Sequence, residues 1–151
     1  MSAWKHIVWD WNGTLFDDSW LTLACINSLL EKRGRPSLTA ERYGRIFTFP
    51  VINYYKTLGF DFDRESWEEV AAEFIGLYEK RRCECALQPD AVAVLKECGK
   101  RGLSQSLLSA YKEKTLRELV AFFRLEGFFS HVKGLNDHYA RSKLENGKQL
   151  M

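Results

Sequence analysis

Residues 5–15 read Lys-His-Ile-Val-Trp-Asp-Trp-Asn-Gly-Thr-Leu, and this stretch decides the fold class. Its apolar run, within residues 5–11, combines β-branched and aromatic side chains and ends at the turn dipeptide Asn12-Gly13. A short continuous run of this kind is typical of a strand that is buried on both faces, as in a parallel sheet. Asp10 would then lie at the carboxyl end of that strand, where open parallel sheets bind their ligands.

Helical patterns follow this strand, and strands return only in the last third of the chain. Strands that alternate with helices indicate a parallel α/β sheet with right-handed crossovers. The helical block would be inserted directly after the first strand. We therefore predict a core from residues 1–16 and 87–151 and a helical insertion from residues 17–86. The predicted helices are 19–33, 40–47, 51–58, 66–82, 89–99, 113–124 and a last one from 140, and the later strands are 103–109 and 128–132.

Composition narrows the functional class. The chain has 151 residues, which suggests one domain or one core with a small insertion. A formal net charge of +2, with basic residues scattered among acids, gives no indication of nucleic-acid binding. No stretch approaches the roughly 18 apolar residues of a membrane span, and no signal peptide is visible. Four cysteines lack the spacing of a zinc site, so we expect reduced thiols in a cytoplasmic protein.

Three polar signals fall at or just beyond the ends of predicted strands. They are the segment from Asp10 to Thr14, then Ser109, and then Lys143. In one site, a carboxylate could attack phosphorus, a hydroxyl could bond a phosphate oxygen, and an ammonium could offset the anionic charge. The pattern therefore favours phosphate chemistry.

At these residues the sequence resembles the haloacid dehalogenase superfamily. Asp-Trp-Asn-Gly-Thr-Leu at 10–15 is similar to its first motif, DxDGT, and Leu-Leu-Ser-Ala at 107–110 is similar to its second. Arg-Ser-Lys at 141–143 is similar to its third motif, a lysine that opens a helix. The insertion lies where the family carries its small helical cap. Within the superfamily, the pattern is most similar to the phosphoglycolate phosphatase-like group.

The resemblance implies a Rossmannoid three-layer α/β/α core with a helical cap, and a phosphatase mechanism. Asp10 would attack the phosphoryl group and form an aspartyl-phosphate, which water then hydrolyses. Mg²⁺ would be held by the Asp10 carboxylate and the backbone carbonyl of Asn12. Ser109 and Lys143 would position and neutralise the phosphoryl group, and a small phosphorylated metabolite would be the substrate. The remaining residues that the resemblance assigns to phosphate binding or to the loop are Gly13, Thr14 and Ala110.

Asn12 departs from the family pattern, because the family has a second aspartate at this position. That aspartate serves as general acid and base, and an amide cannot do so near neutral pH. Loss of such a group typically lowers the rate by ~10²–10⁴. The alternatives are therefore an impaired or inactive member that keeps a phosphate-binding site, or cleavage of a carbon–phosphorus bond. The latter would need a cap lysine, for which Lys56 is the candidate.

The family's fourth motif also has no counterpart in the sequence, which ends at Leu150-Met151. In the family, a further strand lies beside the first strand and ends in aspartates that complete the magnesium shell. With one carboxylate and one carbonyl, Mg²⁺ should bind weakly. Residues 5–11 would form an apolar edge strand, which is prone to pairing. We therefore expect a fragment, or a second copy or partner that covers this edge.

Overall fold

The computed structural model describes residues 5–136, and the chain divides into two compact units. One unit contains the described residues up to Asp17 and from Ala86 onward, and the other is Asp18–Cys85. These limits differ by one residue at each junction from the predicted limits of core and cap. No helix in the described part of the chain is long and apolar enough to span a membrane.

The first unit is built on a parallel sheet of three strands in the order β1-β4-β5. In the register of this sheet, Ile7 pairs with Gln105, and Leu107 pairs with Val132. A separate antiparallel ribbon, β2 with β3, joins the two chain segments that flank the second unit. The strands are β1 (His6–Trp9), β2 (Phe16–Asp17), β3 (Ala86–Leu87), β4 (Ser104–Lys112) and β5 (His131–Leu135).

Six α-helices complete the described chain, and the first four belong to the second unit. The α/β class with a parallel sheet is confirmed, and the predicted helices between residues 19 and 122 are observed within a few residues of their expected limits. The helices are α1 (Ser19–Lys32), α2 (Ala40–Ile46), α3 (Val51–Thr57), α4 (Trp67–Arg81), α5 (Ala91–Lys100) and α6 (Glu113–Phe122).

Helices α5 and α6 pack on the sheet through apolar side chains at helical spacing. Leu95 of α5 and Leu116 and Leu119 of α6 are fully buried. The Gln105 side chain is buried as well, and its amide donates to the Leu95 carbonyl at 3.0 Å. Its own carbonyl oxygen accepts from the Trp9 indole N–H at 2.9 Å, so this one side chain joins β1, β4 and α5. Such satisfied buried polar groups fix register as well as position.

The second unit has its own apolar core, which explains why it forms a compact unit by itself. Ile26, Leu29 and Leu30 of α1 pack with Tyr54 and Tyr55 of α3 and are buried. Burial of these apolar groups is the main favourable contribution to the stability of such a helical unit. Tyr54 and Tyr55 of the predicted cap are thus core residues, whereas Phe47 and Phe49 are exposed.

Side-chain caps and one buried hydrogen bond define the helix ends of the second unit. Thr39 accepts from the backbone N–H of Arg42, as expected of an N-cap threonine. Asp18 precedes α1 but makes no capping hydrogen bond, and its carboxylate accepts from the Tyr78 hydroxyl at 2.7 Å instead. Asp18 therefore ties the start of α1 to α4.

Two strand limits were predicted wrongly. The strand predicted to end at Ser109 continues to Lys112, because Lys112 still pairs with Leu135 beyond an irregularity after Leu108. The strand predicted over 128–132 is His131–Leu135, because the chain first forms a short 3₁₀ turn at Glu126–Phe128. The β2–β3 ribbon was not predicted.

The outer edge of β5 is covered by two side chains from α6. The Val132 carbonyl accepts from Arg117 Nη2 at 2.6 Å, and the Gly134 N–H donates to Glu113 Oε2 at 3.2 Å. Glu113 and Arg117 are also paired with each other at 2.9 Å. At the opposite side of the sheet, β1 has no neighbouring strand among the described residues.

Candidate active site

The loop that follows β1 is organised around one carbonyl oxygen. The backbone N–H groups of Thr14, Leu15 and Phe16 all donate to the Trp11 carbonyl at 3.1 Å. The Trp11 side chain is completely buried, and its ring stacks on Phe16 with 5.2 Å between centroids. The loop is thus fixed from inside by an aromatic anchor, which holds the residues on either side of Trp11 in place.

Gly13 provides the turn that the sequence predicts. Its φ of +73° lies in the left-handed region, which favours glycine, and its N–H donates to the Phe16 carbonyl at 2.9 Å. Asp10 is half-buried between β1 and this turn, and Thr14 is exposed. A rigid turn directly after a strand is suitable for presenting a carboxylate to a ligand.

Ser109 and Asn12 meet across the two neighbouring strands. The Ser109 hydroxyl donates to Asn12 Oδ1 at 3.2 Å and accepts from the Tyr111 N–H at 3.0 Å. Ser109 is buried, with 1% of its surface exposed, while Asn12 is half-buried. The hydroxyl oxygen therefore has a defined orientation, and its proton points to the amide that stands where the family pattern has an aspartate.

The structure thus brings two of the predicted site residues into direct contact, Asn12 and Ser109. Asp10, Gly13 and Thr14 are on the same loop as Asn12, and Ala110 follows Ser109 as a half-buried residue within β4. Lys143 lies outside the described residues, and its assignment stays a prediction. The roles assigned to all of these residues are likewise predictions.

The loop after β1 offers oxygen donors that can be compared with those that Mg²⁺ prefers. The Asp10 carboxylate and the Asn12 backbone carbonyl are oxygen donors of the type that Mg²⁺ prefers. In the described range, however, no three His, Cys, Asp or Glu side chains cluster as a metal site. Mg²⁺ is often held by one or two carboxylates together with substrate phosphate. The donors therefore fit such an ion in type, and in number they suit only weak binding.

Two features of the site were missed from the sequence. Trp11 is an interior anchor, although it was considered only as part of the apolar run. Phe16 and Phe123 contact its ring, with centroid distances of 5.2 and 6.4 Å. The alternation of Trp9 and Trp11 about Asp10 could have indicated that Trp11 points inward. The Tyr111 N–H was missed because β4 was expected to end at Ser109.

The chain is similar to a known protein family and to solved structures. The family model described as haloacid dehalogenase-like hydrolase matches residues 7–143, which is most of the chain. No curated protein matches the sequence significantly. The family match includes the β1 loop, the helical insertion and Ser109.

Solved structures with the same fold share little sequence with this chain. A haloacid dehalogenase-like family hydrolase from Streptococcus pneumoniae aligns with a TM-score of 0.79 and 20% identity, over 99% of this chain and 70% of its own. Protein Tyrosine Kinase A from Mycobacterium tuberculosis aligns with a TM-score of 0.74 and 20% identity, over 90% of this chain and 62% of its own. A predicted phosphoglycolate phosphatase from Haemophilus somnus aligns with a TM-score of 0.70 and 17% identity, over 91% of this chain and 66% of its own.

These three structures carry different activities in their names, so the shared fold does not by itself fix an activity. The family model, in contrast, covers both the first motif and the second. The chain therefore belongs to the haloacid dehalogenase-like hydrolase family.

Proposed function

We propose that the chain is a phosphatase that acts on a small phosphorylated metabolite through Asp10. The observation that supports this most is the hydrogen-bonded turn that directly follows Asp10 and contains Asn12, whose side chain accepts from Ser109 of the neighbouring strand. Membership of the hydrolase family and the phosphatase named among the solved structures point in the same direction.

In the proposed reaction, a carboxylate oxygen of Asp10 attacks phosphorus and the bond to the leaving alkoxide breaks. Because the Asn12 amide has no suitable proton to donate, the leaving alkoxide takes its proton from water. Water then attacks phosphorus of the aspartyl-phosphate, which releases inorganic phosphate and restores the Asp10 carboxylate. A hydroxyl at Ser109 and an ammonium at Lys143 would stabilise charge on the phosphoryl oxygens.

Mg²⁺ would be held by the Asp10 carboxylate and the Asn12 backbone carbonyl. When bound, it would neutralise charge on the transferring phosphoryl group. The work of this chain's own residues is to hold the nucleophile and to orient the Ser109 hydroxyl. The turn around the Trp11 carbonyl holds the nucleophile, and the Tyr111 N–H orients the Ser109 hydroxyl.

One observation favours a second candidate function, a phosphate-binding protein with little or no turnover. Asn12 Oδ1 accepts the Ser109 proton, so the amide is occupied with Ser109, and it cannot replace a general acid or base. Carbon–phosphorus cleavage has no comparable support. Its candidate residue, Lys56, is an exposed residue of α3.

The test is turnover of p-nitrophenyl phosphate with Mg²⁺ by the wild type, Asp10→Asn and Asn12→Asp. We expect Asp10→Asn to remove activity and Asn12→Asp to raise it by about 10²–10⁴ as the acid–base group returns. Asp17→Asn is the matched control, because it removes a nearby carboxylate that has no role in the proposed reaction. Equal activity in the wild type and Asp10→Asn would contradict the phosphatase proposal.

Phosphate binding separates the two candidate functions. We expect inorganic phosphate, titrated by calorimetry, to bind the wild type more tightly than Ser109→Ala, because the variant lacks the hydroxyl. Binding without turnover, in the wild type and in Asn12→Asp, would favour the second candidate. If inorganic phosphate binds neither the wild type nor Asn12→Asp, both candidate functions are refuted.

A further inference from the structure

A cavity of about 270 Å³ in the first unit is lined by α6, by β5 and by the chain that joins them. Val120 of α6 and Val132 of β5 are buried, and together with the half-buried Phe129 they give the cavity apolar walls. Ser130 and His131 lie at its exposed rim and are hydrogen-bonded to each other at 3.1 Å. The cavity shares no residue with the candidate active site, and its volume suits a small molecule.

Arg117 presents a fixed guanidinium to this cavity. Its Nη2 donates to the Val132 carbonyl at 2.6 Å and to Glu113 Oε1 at 2.9 Å, and its Nε donates to the same carboxylate at 3.0 Å. Its Nη1 makes no hydrogen bond within residues 5–136, so the N–H groups of Nη1 are available to a ligand. A guanidinium that is already held by two partners loses little freedom when it binds an anion, and this favours affinity.

A second cation and an acid complete the charged part of the lining. The Lys133 ammonium makes no hydrogen bond or ion pair within the described residues, although Lys133 lines the cavity. Burial raises the pKa of Glu113, but the Gly134 N–H, Arg117 and Lys133 together lower it further, so the Lys133 ammonium lies close enough to act on the Glu113–Arg117 pair. Glu126 is exposed on the same cavity and adds one negative charge.

This balance of charges selects an anion that carries a single charge. Glu113 already compensates Arg117, which leaves the charge of Lys133 against that of Glu126. A carboxylate needs only the two cations, and its planar shape matches a guanidinium. A second negative charge, as on a phosphate monoester, would be repelled by Glu126.

We propose that this cavity binds a small monocarboxylate with an apolar body, at a site separate from the proposed phosphatase reaction. The carboxylate accepts hydrogen bonds from Arg117 Nη1 and from the Lys133 ammonium. The hydrocarbon part contacts Val120, Phe129 and Val132, which give the cavity its apolar walls.

The test is a titration of the complete 151-residue chain with phenylacetate, followed by the chemical shifts of backbone amides. We expect saturable changes within residues 117–133 and a dissociation constant on the order of 1 mM, as suits a ligand of about ten non-hydrogen atoms. Phenylacetamide has the same shape without the charge and should bind at least about tenfold more weakly. Phenyl phosphate, a dianion, should also bind this cavity more weakly, and changes that it causes at Asn12 and Ser109 report on the candidate active site instead.

Two variants should change the affinity for phenylacetate in opposite directions. Lys133→Gln removes a cation and should raise the dissociation constant about tenfold, because a hydrogen bond to a charged group is lost. Glu126→Gln removes the repelling charge and should lower the dissociation constant about twofold to fivefold. Lys114→Gln is the matched control, since Lys114 is an exposed lysine of α6 that does not line the cavity, and its affinity should stay within about twofold of the wild type. Loss of folding cannot raise affinity, so the opposite signs separate binding from stability.

The site is refuted if the cavity residues show no saturable change, or if Lys133→Gln and Lys114→Gln bind phenylacetate equally well. Equal affinity for phenylacetate and phenylacetamide would refute recognition of the charge. The choice of a monoanion is overturned if phenyl phosphate binds the cavity as tightly as phenylacetate, or if Glu126→Gln binds phenylacetate no more tightly than the wild type. These outcomes are independent of the proposed enzymatic function, since none of the variants alters Asp10, Asn12 or Ser109.

Discussion

The two edges of the parallel sheet differ in how their outward backbone groups are hydrogen-bonded. At β5, the outward carbonyl of Val132 and N–H of Gly134 are bonded to Arg117 and Glu113, at 2.6 and 3.2 Å. At β1, the described residues provide no such side chains, and Val8 is half-exposed. An edge is therefore closed here by side chains from the helix that precedes the strand, and not by the strand's own composition.

The order of elements explains how the β5 edge receives this cover. Helix α6 is the α-helix that precedes β5 along the chain, and it packs beside this strand, so residues one turn apart on α6 can reach the backbone of β5. β1 has no described element before it.

Among the variants at the β5 edge, Gly134→Ala should change the free energy of unfolding most. A Cβ there would lie 2.5 Å from the Glu113 Cα and the Tyr111 carbonyl oxygen, and 2.6 Å from the Glu113 N. All three atoms belong to the backbone, so β5 must move away from the start of α6. We expect a loss of about 3 kcal/mol in the free energy of unfolding, measured with urea.

Gly99→Ala in α5 is the control for this change. No heavy atom lies within 4 Å of the added methyl group, and the residue is helical. Alanine should therefore stabilise the protein by roughly 0.5–1 kcal/mol. Equal stability of the Gly134 and Gly99 variants would show that the close approach at β5 can relax without cost.

The sequence predicted much of the sheet, because its signals are local. The apolar run in 5–11 and the turn at Asn12-Gly13 specify β1 and the loop after it. The end of β4 could not be predicted, since Lys112 continues the strand only by pairing with Leu135, which is distant in the sequence. The β2–β3 ribbon has two residues in each strand, too few for any periodicity.

The candidate site was predictable to the level of which residues share one end of the sheet. That Asp10, Asn12 and Ser109 lie near each other follows from parallel strands with common carboxyl ends. The hydrogen bond from Ser109 to Asn12 depends on side-chain rotamers and on the Tyr111 N–H, which only the folded chain defines. For the same reason, the spacing of Glu113 and Arg117 indicates an ion pair but not its backbone partners in β5.

An intermediate effect should come from Arg117→Met, which keeps an aliphatic side chain and removes the guanidinium. The Val132 carbonyl would lose its charged donor, and Glu113 would lose its ion-pair partner. Hydrogen bonds to charged groups contribute about 1.5–3 kcal/mol, and the half-exposed position of Arg117 places the expected loss near 1.5 kcal/mol. Urea unfolding measures the loss.

Arg101→Met provides the comparison, because Arg101 makes an exposed pair with Glu97 one turn away at 2.9 Å. A pair of this kind contributes only about 0.3–0.5 kcal/mol. Suppose that Arg117→Met loses no more free energy of unfolding than Arg101→Met. The bond from Arg117 to the β5 edge would then add no stability beyond that of an ordinary surface ion pair.

The smallest effect should come from Glu113→Gln, and it depends on pH. Burial disfavours the charged carboxylate, but the Gly134 N–H and Arg117 outweigh it and lower the pKa of Glu113 below its usual value. The carboxylate therefore stabilises the fold above the unfolded pKa, about 4.3, and this contribution is lost as pH falls through the lower folded pKa. The amide can still accept from Gly134, so we expect a difference of less than about 1 kcal/mol at neutral pH.

Urea unfolding of the wild type and Glu113→Gln from neutral pH to about pH 3 measures this difference, since the wild-type advantage should shrink below the unfolded pKa of about 4.3. The same pair in the Arg117→Met background completes a double-mutant cycle. There the advantage should be smaller at neutral pH, because Arg117 is one of the groups that lower the pKa of Glu113. An advantage that is constant with pH, or unchanged in that background, would mean that the charge of Glu113 does not help to close the β5 edge. The contrast with β1 would then depend on neutral hydrogen bonds alone.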